Sequence, residues 1–272
     1  MATKNKFSGI GGINLLGGGW PARVFGVGLL FAGWFALAWY FPNELMPFPI
    51  ETLVLATEFV RSGVIWGHLF ATLWRILWGF TGSMAIGIAL GVAMGSSRFG
   101  RLFFVPYTVF GLSIPAVAWA AIALLIFGFS DLTIVFATVA VTYPYIAINI
   151  WKGVENIDAD LIKMSKSFDV SNIQMLRHMI LPSIGSALFA SVRFGLAISW
   201  KIVTIGEVFA ANNGIGAILF EAYELYRFEE AWAWAVIFII FLLLIEYAIF
   251  KPLERRVQNY RQDVDFSGGA VT

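Results

Sequence analysis

The chain has 272 residues, 59% of them hydrophobic and only 13% charged, with a mean hydropathy of +0.80. That is about half the charged fraction of an ordinary soluble domain and identifies an integral membrane protein. Scattered basic residues and a net charge of +1 exclude nucleic acid as a partner, while zero cysteines and only two histidines, His68 and His178, exclude disulfide, thiolate-metal and redox chemistry.

The first 21 residues are Gly-rich, with Lys4 and Lys6, and form a predicted cytoplasmic segment (1–21) ahead of a first span that is retained, not cleaved as a signal peptide. Four stretches carry no charge at all: 24–43, 76–97, 102–130 and 132–151. Each is long enough to cross a bilayer core, which needs roughly 20 helical residues. Two further spans are predicted, 186–209, interrupted by Arg193, Lys201 and Glu207, and 231–250, interrupted only by Glu246. The expected fold is therefore an all-α membrane protein of six transmembrane helices in one domain (22–256), with a cytoplasmic tail at 257–272.

Orientation follows from lysine and arginine, which stay on the cytoplasmic side during insertion. With both termini inside, most of the cations fall on the cytoplasmic side, and Arg61, Arg227 and Arg75 fall at the outer one. The outer surface then collects acids, among them Asp131, Glu221 and Glu230. In the second span Gly79, Ser83, Gly87, Gly91 and Gly95 recur every four residues on one face, a pattern for close helix packing that favours an intramolecular seam over a subunit contact. Pro106, Pro115 and Pro144 predict kinks in the third and fourth spans.

The longest cytoplasmic loop, 152–184, is not a plain linker. From Asp158 the run DADLIKMSKSF has an N-cap, an acid in its first turn and lysines toward its end, with Leu161, Met164 and Phe168 on one apolar stripe. Ser171 and Gln174 then form a capping box, and the second short helix ends at Leu181-Pro182. Composition alone leaves two readings open, an amphipathic segment on lipid headgroups and a protein-docking element.

This loop resembles the cytoplasmic coupling loop of ABC importer permeases. In that pattern Lys163-Met164-Ser165 stand where a Glu-Ala-Ala run is found, Asp169 where a glycine is found and Met179 where an isoleucine is found, ahead of Leu181-Pro182. The branch handling nitrate, bicarbonate, taurine and alkanesulfonates is resembled more widely, in MPFPIETL (46–53), HLFATLWRILWGF (68–80), IPAVAWAAIALLIFG (114–128), the spacing of Arg193, Trp200 and Glu207, and FKPLERRV (250–257). The resemblance implies a type I importer half: a multi-pass inner-membrane permease, itself no enzyme, paired with a second permease subunit. It also implies cytoplasmic ATPase partners that hold ATP and Mg, and an external substrate-binding protein. The chain has no Gly-x4-Gly-Lys-Ser/Thr phosphate loop, so no cofactor is expected in it.

Ionisable residues inside a span are costly and face a pathway, a partner charge or an interface. Lys201 is the least expected, because the resemblance implies a small or apolar residue there. It reads either as a pathway cation for an anionic solute or as an ion-pair partner of a charge such as Glu246. Trp200 and Arg193 are further pathway candidates, and Glu207 is a candidate for the pathway or for packing at the external gate. His68 and Arg75, seven residues apart, share a face at the outer end and can pair with external acids or headgroups. The alternative reading is an ion-coupled secondary carrier using Glu207 and Lys201 as its coupling pair.

Overall fold

The computed structural model describes residues 20–41, 45–158, 160, 164, 167 and 171–245. The Gly-rich N-terminal segment, the C-terminal tail and Glu246 lie outside the described residues, and so do Leu161, Lys163, Ser165, Phe168 and Asp169 of the loop.

Every regular element among the described residues is a helix. In chain order these are α1 (Trp20–Tyr40), α2 (Pro49–Arg61), α3 (Val64–Ser96), α4 (Arg98–Ser113), α5 (Ala116–Phe127) and α6 (Asp131–Glu155). There follow α7 (Asn172–Met175), a π-helical turn (Leu176–Ile180), α8 (Leu181–Ser183), α9 (Gly185–Ala210), α10 (Ile215–Glu224) and α11 (Phe228–Ile245). Four of them, α3, α6, α9 and α11, are long and apolar enough to cross a membrane, and α4 with α5 makes a fifth candidate crossing, bent by 98°. In α1 the apolar run is Val24–Tyr40.

Two expectations change here. The stretch 102–130 is not one kinked span, because the helix breaks before Pro115. The proline ring disfavours helical geometry at the residue ahead of it, and Ile114 is extended, with ψ 124°. Pro115 also has no N–H for the carbonyl four residues back, that of Gly111, and the Trp119 indole N–H donates to it instead at 3.3 Å. Pro106 and Pro144 are accommodated inside α4 and α6. The second span, expected at 76–97, begins at Val64, so Arg75 lies about 16 Å inside the helix at 1.5 Å per residue.

The centre of the bundle is α6, which packs against α3 on one side and α9 on the other. The α3 seam is built from the small residues the spacing singled out. A Cβ on Gly79 would meet Thr138 at 2.7 Å, on Gly87 Ile146 at 2.6 Å, on Gly91 Ile150 at 2.7 Å and on Gly95 Val154 at 2.5 Å. These pairs keep a constant offset of 59 positions, so α3 and α6 run parallel and in register. The glycine face is thus an intramolecular seam. α9 runs antiparallel to α6, with Gly195 against Ile146 and Gly206 against Ile134. A second apolar core, in which Ala56, Ile65, Leu69, Ile215 and Trp234 meet, joins α2, α3, α10 and α11.

Candidate functional site: a buried charge clamp and a charged flank of α9

The face of α3 that carries the glycines continues outward as His68, Thr72 and Arg75, at the same spacing of three and four residues. Arg75 is buried, and its guanidinium donates four hydrogen bonds to groups outside α3. Nη1 donates to Glu207 Oε1 and to the Asn213 carbonyl, both at 2.7 Å. Nε donates to Asp131 Oδ1 at 2.8 Å, and Nη2 lies 2.7 Å from the same oxygen and also donates to Asn213 Oδ1.

Glu207 has no solvent exposure. A carboxylate so placed is tolerable only with charge and hydrogen bonds around it, and it has both. Besides Arg75, Thr72 Oγ1 donates to it at 2.9 Å and the Gly216 N–H at 2.9 Å. Gly216 belongs to the first turn of α10, whose open N–H groups and dipole favour an anion. The Ile215 N–H donates to Thr72 Oγ1 at 2.9 Å, and the Gly214 N–H to His68 Nδ1 at 3.2 Å. The backbone of the α9–α10 loop is therefore held group by group by α3. Gly214 is required there twice over: its φ is +108°, and a Cβ would collide with the carboxylate of Glu207 and with Arg75 Nη1.

Glu207 is thus closed off from solvent and paired to Arg75. Arg75 does pair with an external acid, Asp131, as its position on the outer face allowed. Its bond to Glu207, and the parts of Thr72, Asn213, Gly214 and Gly216, were not anticipated. The continuation of the α3 stripe from Gly79 back to His68 was the available signal.

Lys201 and Arg193 are exposed on α9. The Lys201 ammonium sits 5.5 Å from the ring centre of Trp200, and that ring also meets Phe238 edge-on. Arg193 lines two grooves. One, of about 620 Å3, runs between α6 and α9 with Tyr145, Asn149 and Phe194; the other includes Leu73, Phe80 and Trp200.

Beyond the C-terminal end of α6, Asp158 Oδ1 accepts from the Asp160 N–H at 2.8 Å, as an N-cap does. The capping box is present: the Gln174 N–H donates to Ser171 Oγ at 3.3 Å and the Ser171 N–H to Gln174 Oε1 at 3.1 Å. The helix does not stop at Leu181-Pro182. The Pro182 ring crowds the carbonyl four residues back, and the preceding turn widens so that the Leu181 N–H bonds to the Leu176 carbonyl. Met164, Leu181 and Pro182 are exposed.

Between α6 and α9 the described residues hold two helix-start caps, at Asp158 and at Ser171. Residues 83–259 match the family of binding-protein-dependent transport system inner membrane components. The chain belongs to that family: it is a permease subunit of an ABC transporter, a multi-pass inner-membrane protein, and transport, not catalysis, is its activity. Membership implies ATPase partners, where ATP is hydrolysed, and a substrate-binding protein; it does not favour the secondary carrier.

An aliphatic sulfonates transport permease protein, SsuC, of Escherichia coli (strain K12) is 33% identical over 182 residues, 67% of this chain and 69% of that protein. The riboflavin transport system permease protein RibX of Chloroflexus aurantiacus is 33% identical over 179 residues, 66% of this chain and 67% of that protein. Among solved structures, the MetNI methionine ABC transporter in inward facing conformations matches with a TM-score of 0.61 and 19% identity, covering 71% of this chain and 95% of that one.

Proposed function

We propose that the chain is one half of a permease for a small organic or inorganic anion, paired with a second copy of itself. Its segment from Asp158 to Pro182 docks on the ATPase, and an external binding protein delivers the solute. In this reading α1 supplies a sixth crossing and both termini are cytoplasmic. Lys201, Trp200 and Arg193 line the passage. The observation that carries it is the exposure of Lys201 on a 26-residue apolar span. A cation facing hydrocarbon at mid-helix costs at least about 2.5 kcal/mol. Water, a second subunit and an anionic solute together relieve that cost, whereas lipid does not. Relatives named for sulfonates and for riboflavin are both 33% identical, so the anionic class rests on Lys201 and not on identity.

The test is uptake by the reconstituted complex. Lys201→Met should keep assembly and basal ATP hydrolysis while anion uptake falls, and Lys201→Arg should keep part of it. Unchanged uptake in Lys201→Met would place the residue off the passage. For the docking segment, replacing Met164 and Phe168 by glutamate should lower transport-coupled ATP hydrolysis without loss of insertion, and full coupled activity with the ATPase retained would refute the assignment. Size measurement in detergent should give two permeases for two ATPases.

A further inference from the structure

The Arg75 guanidinium is shared between two environments. Nη1 is closed against Glu207 and the Asn213 carbonyl. The rest of the group borders an external cavity of about 340 Å3 between the start of α6 and the α9–α10 loop, with Ser130, Asp131, Asn212 and Asn213 among its walls. The carboxylate on the Nε–Nη2 edge belongs to Asp131, whose side chain is 59% exposed, against 0% for Glu207.

We propose that Asp131 is a displaceable occupant of an anion site at the outer mouth: a carboxylate or sulfonate group takes its place on the Nε–Nη2 edge of Arg75 and releases α6 from the clamp. The exchange conserves charge, because one monoanion replaces another while Glu207 continues to neutralise the buried guanidinium. Release of Asp131 is cheap, since the side chain already meets water and, as the first residue of α6, stays at the favourable positive end of that helix. The Nε–Nη2 edge of a guanidinium suits the oxygens of carboxylates and sulfonates. Further donors are at hand: Asn212 is exposed, and Asn213, whose Oδ1 is taken by Arg75, keeps its NH2 group for an acceptor.

The consequence is directional. When Asp131 lets go, the loop, α9 and α3 remain joined through Glu207, Thr72, His68 and Asn213, while α6 loses its polar tie to them at the outer end. The cytoplasmic end of α6 leads into the segment assigned to ATPase docking, so an anion arriving outside is felt on the chain that reaches the ATPase. This inference rests on the reading of the chain as an anion permease.

Methanesulfonate and acetate, with glycerol as uncharged control, would be titrated calorimetrically into the permease–ATPase complex in nanodiscs. Asp131→Asn removes the competing charge and should bind both anions about tenfold more tightly or better. Asp131→Glu should behave as wild type, and glycerol should not respond. Unchanged or weaker anion binding in assembled Asp131→Asn overturns the proposal, as does an equal gain for glycerol. If Asp131→Asn does not assemble, Asp131→Ser carries the same expectation and the same refutation. Sulfonate uptake by wild-type vesicles with the binding protein, measured in parallel, separates the two readings. Tighter binding in Asp131→Asn with no uptake of any anion keeps the site and removes the anionic solute. Normal anion uptake with unaltered binding does the reverse.

Discussion

From Gly79 to Gly95 one face of α3 meets α6 through small residues, and from His68 to Arg75 the same face meets α6, α9 and the α9–α10 loop through directed polar bonds. In a bilayer the apolar half gains nothing from excluding water, since lipid tails are as apolar as its neighbours; it gains from close backbone approach and dispersion. The polar half works by satisfaction: Arg75 donates to Glu207, Asp131 and Asn213, and loss of the fully buried Glu207 leaves a buried charge in an apolar surround. Steric change should therefore damage the inner half most, and loss of a single partner the outer half.

The largest effect is expected from Gly91→Leu. Already the Cβ would sit 2.6 Å from the Ala147 carbonyl oxygen and 2.7 Å from Ile150 Cβ, and backbone cannot step aside. Overpacking of this kind costs about 3 kcal/mol or more, and monodisperse protein should not be recovered from detergent. Glu207→Gln comes next, at about 3 kcal/mol, read as a fall in thermal unfolding temperature. Combining Arg75→Met with Glu207→Leu sharpens the comparison: removal of both charges should restore part of what Glu207→Gln loses, and a further drop would show that the clamp is held by more than charge balance.

Gly214→Ala should cost about 1–3 kcal/mol, from the positive φ and the collision with Glu207 together. The same assay should see a smaller shift than for Glu207→Gln. Arg101→Ala is the low end of the series. Its pair with Glu155 at 2.5 Å is roughly 40% exposed on both sides, and such pairs contribute at most about 1 kcal/mol. A loss as large as that of Glu207→Gln would contradict the division drawn here.

Much of this was legible in the sequence because hydrocarbon thickness and charge depletion impose a coarse pattern. The small-residue spacing on α3 predicted its seam, and Ser171 with Gln174 predicted a helix start that is present. The onset of α3 was misplaced by that same logic. A charge-free window has to end at Arg75, yet Arg75 lies inside the helix because Glu207 and Asp131, 132 and 56 positions away, compensate it. Partners so distant in sequence leave no local trace. The break at Ile114 is different in kind: Pro115 signalled it, but proline gives no angle, and Pro106 and Pro144 are carried inside helices with no such break.

The fixed offset of 59 between α3 and α6 also limits how the chain can vary in length. One residue inserted between Gly79 and Gly95 would rotate everything beyond it by about 100°, moving the remaining glycines off α6 or, if the seam held its phase, swinging His68, Thr72 and Arg75 away from Glu207 and the loop. The two halves of the face share a single phase, so neither can be shifted without dislodging the other. Gains and losses of residues should therefore be admissible in the turns around α3 and α6 and lethal between His68 and Gly95, a pattern that scanning single-codon insertions along this stretch would reveal directly.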